Sequence, residues 1–270
     1  MSSRNYLITG AARGIGRGLT RLLLSKGHRV FLVDNNESEL THFTTQLSKQ
    51  RETAQKSQTF SSSLCDLRQP SQIKQAISLA SDFFQGHLDV LINNAANTSS
   101  VANATPLADQ TLEDWTAALE TNLTAPFLLV QSSLPLLTSS RATAANVINI
   151  SSTRAFMAEP NHEAYSTTKA GLLGLTQSLS VSLAPQNIRV NAILPGWINV
   201  AHECKKGDEE GMKWEDGLTE DDHKWHLTGR VGKVEDVWRA VEYLVENEGV
   251  SGTEIVVDGG VTRKMVYPEE

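Results

Sequence analysis

Three glycines stand within seven residues near the start of the chain, in Thr9-Gly10-Ala11-Ala12-Arg13-Gly14-Ile15-Gly16. Before them runs a short apolar strand candidate, Tyr6 to Thr9. After them an amphipathic stretch, Gly14 to Lys26, reads as a helix closed by Gly27. Glycines let a strand turn sharply into a helix and let backbone approach a ligand without Cβ clashes. The helix N-terminus adds unpaired N–H groups and the positive end of a dipole. A strand–turn–helix of this kind predicts a βαβ unit that cradles a pyrophosphate on Gly10, Arg13, Gly14, Ile15 and Gly16. A tight structural turn is the plainer reading of the same glycines.

The rest of the chain continues that alternation. Strands are predicted at Val30 to Asp34, near Ser63–Cys65, and at Leu88 to Asn93, Asn146 to Ser151, Ile188 to Leu194 and Glu254 to Val257. Helices are predicted from about Glu37 to Gln55, from Pro70 to about Gly86, from Tyr165 to Leu183 before Pro185, and from Val234 to Glu246. Leu112 to Leu137 reads as a long helical stretch that must kink or end early at Pro126 or Pro135. Strands such as Val30-Phe31-Leu32-Val33 are apolar at every position, as expected when helices cover both sheet faces. The pattern predicts one α/β domain over residues 1–270: a doubly wound parallel sheet in three α/β/α layers. Val200 to Thr228 breaks the rhythm with charge, His, Trp and glycine, and reads as a lid; 261–270 reads as a short tail or an arm to a neighbouring subunit.

Composition narrows the partners. A net charge of −7 over 270 residues argues against nucleic acid and anionic membrane. No run is apolar enough to span a bilayer. Two cysteines, Cys65 and Cys204, make no disulfide framework, and the opening residues show no signal-peptide core, so the cytoplasm is the expected compartment. Cys65 reads as strand-core packing. His202-Glu203-Cys204 and Asp221-Asp222-His223, with His226, match no zinc spacing, and no metal is expected.

Asp34 ends the second strand. A carboxylate there accepts bonds from the adenosine ribose hydroxyls and repels a 2′-phosphate, which favours NAD over NADP. Arg13, a cation able to reach the 2′ position, keeps NADP open. A plain strand-end cap is the other reading of Asp34.

With these residues in view the sequence resembles the short-chain dehydrogenase/reductase family, from about Tyr6 to Gly260. The glycine loop is similar to its T-G-x-x-x-G-x-G, Asn93-Asn94-Ala95-Ala96 to its N-N-A-G, and Tyr165-Ser166-Thr167-Thr168-Lys169 to its Y-x-x-x-K. Asn122 and Ser152 fall where the family completes a catalytic tetrad, and Pro195-Gly196 and Val257-Asp258-Gly259-Gly260 match later motifs. The resemblance implies a Rossmann-like fold, an NAD(P)-dependent exchange of a secondary alcohol with a ketone, and a homotetramer or homodimer built from two long helices. It also implies cofactor contacts from Ile15, Asp66, Leu67, the Asn93 and Ala95 region, Pro195, Gly196 and Ile198. Two positions depart from the pattern: Ala96 replaces glycine, and Val200 replaces the threonine that bonds the nicotinamide carboxamide.

Tyr165 and Lys169 are four apart on a predicted helix and share a face. An ammonium about 4–5 Å from a phenol contributes roughly 3–4 kcal/mol at an effective dielectric of ~20, enough to draw the phenol toward neutrality, where it can both accept and donate a proton. The resemblance implies that Tyr165 handles the proton, Ser152 binds the substrate oxygen, Lys169 also holds the nicotinamide ribose, and Asn122 holds a water leading to Lys169. Taken singly, a Tyr-x-x-x-Lys is a surface pair and Ser152 a strand-end cap. Trp197, after Pro195-Gly196, is the expected substrate contact, with Phe156 and Met157 beside it, while Trp214 and Trp225 either wall the substrate or anchor the lid. A nucleotide-sensing role, or a non-redox reaction on the same fold, are the rival functions.

Overall fold

In the computed structural model of the protein the alternation closes into one sheet of seven parallel strands, in the order β3-β2-β1-β4-β5-β6-β7. The structure describes residues 3–54, 59–139 and 144–264. The expected helix end at Gln55, the middle of the Ser-rich connector and the tail beyond 264 lie outside the described residues.

The strands are β1 (Asn5–Thr9), β2 (Arg29–Asp34), β3 (Phe60–Leu64), β4 (Val90–Asn93), β5 (Ala145–Ile150), β6 (Ile188–Pro195) and β7 (Glu254–Val257). Alternate residues of the apolar strands enter different cores. Tyr6, Ile8, Val30, Leu32, Val90, Ile92, Ile148 and Ile150 join one buried cluster; Leu7, Phe31, Val33, Leu91 and Val147 join another. The first face is covered by α1 (Gly14–Ser25), α2 (Glu37–Ala54) and α10 (Val234–Glu246). The second is covered by α3 (Pro70–Phe84), α6 (Ala125–Leu137) and α7 (Glu163–Leu183). Each fully buried Leu, Ile or Val contributes roughly 1.5–3 kcal/mol, so strands without a polar face are what this layering requires.

Three expectations are corrected in detail. β3 begins at Phe60, not near Ser63, and Cys65 lies just past it, buried in the second cluster. Its three serines carry no apolar pattern; the strand is specified by its pairing, from Val30 with Phe60 to Asp34 with Leu64. The long helix is interrupted as expected, but by a change of winding: α5 (Leu112–Leu119) passes through a π turn, Glu120–Thr124, into α6. Pro126 has no N–H for the carbonyl of Asn122 four residues earlier, so the ladder must shift there. Pro135 is carried inside the final turns of α6.

After β6 the segment 200–228 holds two short helices, α8 (Lys205–Glu210) and α9 (Glu220–Lys224); the short α4 (Ser99–Asn103) follows β4. Trp214 ties this segment to the chain before α10: its Nε1 donates to the Gly232 carbonyl at 3.2 Å and the Lys233 ammonium lies 3.9 Å from its ring centre.

Candidate active site

The strand order reverses between β1 and β4, which is where an open α/β sheet leaves a crevice at the carboxyl ends of its strands. A cleft of about 820 Å³ occupies that place, within the range of small-molecule sites. It is bordered at one end by Gly10, Arg13, Gly14, Ile15 and Asp34, and further along by Asp66, Leu67 and Ala95. At the other end stand Ser152, Tyr165, Lys169, Pro195 and Gly196. Folding thus brings together motifs that are more than 150 residues apart in the chain.

The glycine loop is built for close approach. Gly10 sits at φ +62°, and a Cβ there would lie 2.8 Å from the Ala95 Cα. A Cβ at Gly16 would overlap the Gly10 carbonyl and crowd Asn94 Nδ2 at 2.6 Å. Gly16 therefore does not border the cleft; it lets α1 start tight against the loop. Asn94 clasps the same loop, donating from Nδ2 to the carbonyls of Thr9 (2.9 Å) and Gly10 (3.1 Å), while Thr9 Oγ1 accepts from the backbone N–H groups of Asn94 and Ala95. Gly14 donates its N–H to the Glu203 carbonyl at 2.8 Å, which leaves Ile15 as the first-turn residue of α1 that borders the cleft with an N–H free for an anion.

Strand alternation decides which of two adjacent asparagines reaches the cleft. Asn94 borders it; Asn93 is buried on the opposite side, donating to Asn149 Oδ1 at 2.8 Å, and Asn149 in turn donates to Thr176 Oγ1. The expectation that Asn93 lines the cleft is corrected accordingly. Ile198 is buried, in a bridge with Gly232, and Val200 and Ala201 border the cleft just beyond it. Trp197 is half-exposed beside His226, off the cleft. Phe156 and Met157 border a separate cavity of about 300 Å³ together with Arg154.

Asp34 is held in place: Oδ2 accepts from the Ala12 N–H and Oδ1 from the Asn36 N–H, both at 2.9 Å. It therefore caps its strand end and borders the cleft at once. Arg13 is exposed. Sequence reasoning missed Arg68, a second cation on this border, whose Nε and Nη2 clamp Asp66 at 3.1 and 2.9 Å and hold that carboxyl below its ordinary range.

At the other end, α7 starts two residues before Tyr165, so Tyr165 and Lys169 lie on its first two turns. Lys169 is buried, its Nζ 5.5 Å from the Tyr165 ring centre and donating to the Ile150 carbonyl at 2.8 Å. Burial lowers its pKa to about 8. Burial raises the Tyr165 phenol above its ordinary value, against the opposing pull of a Ser152 hydrogen bond and the Arg154 charge. The expectation that the Lys169 ammonium draws the phenol toward neutrality is corrected: burial outweighs it, and the ammonium donates to the Ile150 carbonyl. Ser152 Oγ accepts from the Arg154 N–H at 3.1 Å, capping the turn Thr153–Ala155 while it borders the cleft.

Asn122 sits in the π turn, 1% exposed, with its side chain committed to the loop after β4. Oδ1 accepts from the Asn97 N–H (2.6 Å), and Nδ2 donates to the Asn97 carbonyl and to Thr168 Oγ1 (both 3.1 Å). Asn122 shapes the cleft wall from behind. Among the described residues there is no group of three or more His, Cys, Asp or Glu placed to hold a metal ion, and no helix long and apolar enough to cross a membrane.

A family model described as enoyl-(acyl carrier protein) reductase matches residues 10–262. The chain is a short-chain dehydrogenase/reductase. Within this oxidoreductase family it is 31% identical over 266 residues to an uncharacterised oxidoreductase of Thermotoga maritima, covering 97% of each chain. It is 30% identical over 257 residues to a 3-oxoacyl-(acyl-carrier-protein) reductase of Aquifex aeolicus, covering 94% of this chain and 96% of that one. Among solved structures, an apo SCOR enzyme from Clostridium thermocellum superposes with a TM-score of 0.80 at 30% identity, over 98% of this chain and 96% of that one.

Proposed function

We propose that this short-chain dehydrogenase/reductase interconverts a secondary alcohol and a ketone with a nicotinamide dinucleotide, preferring NAD, in a reducing cytoplasm. The observation that carries the reading is the continuity of one cleft from the glycine loop to Ser152, Tyr165 and Lys169. The cradle fits the cofactor: Gly10 and Gly16 leave no room for a Cβ, and Asp34 presents a locked carboxylate at the adenosine end. Gly10, Ile15, Asp34, Asp66, Leu67 and Ala95 would hold the nucleotide, with Pro195 and Gly196 at the nicotinamide end. When bound, it supplies the hydride donor or acceptor.

The chain's own residues then handle the proton and the oxygen. Tyr165, protonated in its buried setting, donates to the forming alkoxide in reduction; in oxidation its phenolate accepts the hydroxyl proton. Ser152 donates to the same oxygen as negative charge grows on it. Lys169, still charged at pH 7 with its pKa near 8 and with Nζ 5.5 Å from the Tyr165 ring centre, favours the phenolate, which regains its proton from solvent. Val200, with no hydroxyl, contributes packing and no hydrogen bond; the missing bond is worth roughly 1 kcal/mol. A homo-oligomer built on α6 and α7 accords with the exposed Phe127 and Val181 on those helices.

The test is a pair of titrations with NADH and NADPH, followed by tryptophan quenching, then an alcohol and ketone screen headed by a 3-oxoacyl thioester. NADH should bind at least tenfold more tightly than NADPH. The substitution Tyr165→Phe should keep that binding and lower kcat/KM by about 10²–10⁴-fold. Equal or tighter NADPH binding overturns the assignment to NAD, and binding of neither overturns the reading as a whole.

A further inference from the structure

Arg17 lies on α1 with none of its side chain exposed to solvent, yet it faces three carboxylates. Its guanidinium is paired with Asp208, lies 3.7 Å from Glu203 and 4.0 Å from Glu39, donates to Gln46 Oε1 at 3.1 Å and stacks on the Phe43 ring at 4.6 Å. Glu39, Phe43 and Gln46 belong to α2; Glu203 and Asp208 belong to the segment that leaves β6. Other bonds join the same three parts. Arg21 pairs with Glu203, His42 Nε2 lies 2.8 Å from Asp208 Oδ2, and the Lys205 N–H donates to Glu39 Oε2 at 2.7 Å. The Gly14 N–H, in the first turn of α1, donates to the Glu203 carbonyl.

The route of that segment gives these bonds a consequence. β6 lies three strands from β1, with β4 and β5 between them, and α2 follows β2 on the far side. To reach α1 and α2 from Pro195 the chain must cross the carboxyl ends of the strands, over the crevice. It does so with Val200, Ala201, Glu203 and Cys204 bordering the cleft. Val200 Cγ2 stands 3.6 Å from where a Gly14 Cβ would be. Residues 200–208 therefore form a strap across the phosphate end, fastened on its far side by a buried guanidinium.

We propose that Arg17 is a positioning residue for the dinucleotide: by fastening the strap to α1 and α2, it holds the cleft closed and sets how fast a bound cofactor leaves. It touches neither the cofactor nor the reacting atoms, and acts through Asp208 and Glu203. Arginine sets Nη2 on Asp208 and Gln46 while its delocalised charge lies 3.7 Å from Glu203 and 4.0 Å from Glu39, a spread that a lysine's compact ammonium does not reproduce. The proposal rests on the nucleotide-binding reading above.

The experiment uses the full chain loaded with NADH, displaced by excess NAD in a stopped-flow instrument and followed by nicotinamide fluorescence. Asp208→Ala removes the strap's fastening from a partly exposed position on α8 while Glu203 and Glu39 stay beside the Arg17 charge, and Arg17→Lys keeps that charge in the core. NADH should leave at least tenfold faster from Asp208→Ala and several-fold faster from Arg17→Lys. KM for the nucleotide should rise in step, with kcat within twofold of the unsubstituted protein or above it. Trypsin cleavage after the exposed Lys206 should be slowed by NADH in the unsubstituted protein and much less in Asp208→Ala. Release rates within twofold of the unsubstituted protein in both folded variants overturn the proposal, even if their melting temperatures fall, because the network would then be only structural. Failure of the unsubstituted protein to bind NADH or NADPH overturns the cofactor reading and the strap's role with it.

Discussion

Lys169 is held in the interior by one hydrogen bond, to the Ile150 carbonyl, and burial alone moves its pKa from 10.5 down to about 8. Between those two values the unfolded chain retains a proton that the folded chain has released, so in that window stability rises with pH. Below about pH 8 the buried ammonium is at its most costly. Lys169→Met, similar in length and uncharged, should therefore stabilise the protein at pH 7 by about 1–2 kcal/mol, less than the full pKa displacement because Ile150 loses its donor. The gain should shrink as pH approaches 10.5. Urea unfolding at pH 7 and pH 10 measures it, and a gap equal at both values would refute the argument. Activity should be lost in the same variant, which separates what the residue does for the reaction from what it does for the fold. Tyr165 shows the same conflict, since burial that raises its phenol also removes competing water from the place where the proton moves.

Among the elements, α1 has the tightest tolerances. Its first turn leans on the glycine loop through Gly16, and one half-turn on, Gly18 meets α10: a Cβ at Gly18 would lie 2.7–3.0 Å from the side chain of Val234. Gly18→Ala should cost about 1–3 kcal/mol by overpacking, and Val234→Ala in the same chain should recover part of it. Denaturant midpoints of the two single variants and the double variant test this; additive losses would mean the helices do not meet there. Most elements were legible in the sequence. β7 and α10 fall at their expected residues: α10 because an amphipathic helix carries the pattern of its own burial, β7 because its short apolar run stands out even on a half-buried sheet edge. β3 was displaced because an edge strand of serines takes its definition from β2. The π turn was visible only as a proline that had to interrupt something. Asn93 and Asn94 show the remaining limit: two identical residues in one motif part company because successive side chains on a strand face opposite ways.

At the scale of the whole molecule, the cleft joins residues from the first strand to the segment after the sixth, so occupying it should stabilise the chain as one cooperative unit. A nucleotide at about 100 times its dissociation constant contributes roughly 2.7 kcal/mol, which for a domain of this size raises Tm by about 5–10 °C. A thermal melt with and without NADH checks it, and an unchanged Tm would count against a site that binds the folded state. Through the resemblance Ser152 joined the site; the sequence by itself determined the layered parallel sheet, the glycine cradle and the shared helical face of Tyr165 and Lys169. Those properties follow from local pattern: apolar runs, turn-forming glycines, and a four-residue helical spacing. Only the tertiary structure decided that Lys169 points at Ile150, that Asn122 supports the wall from behind, and that Arg17 ties the strap to α1 and α2. Those depend on distance and burial between segments far apart in the chain, where Coulomb and desolvation energies vary with separations that no local pattern encodes.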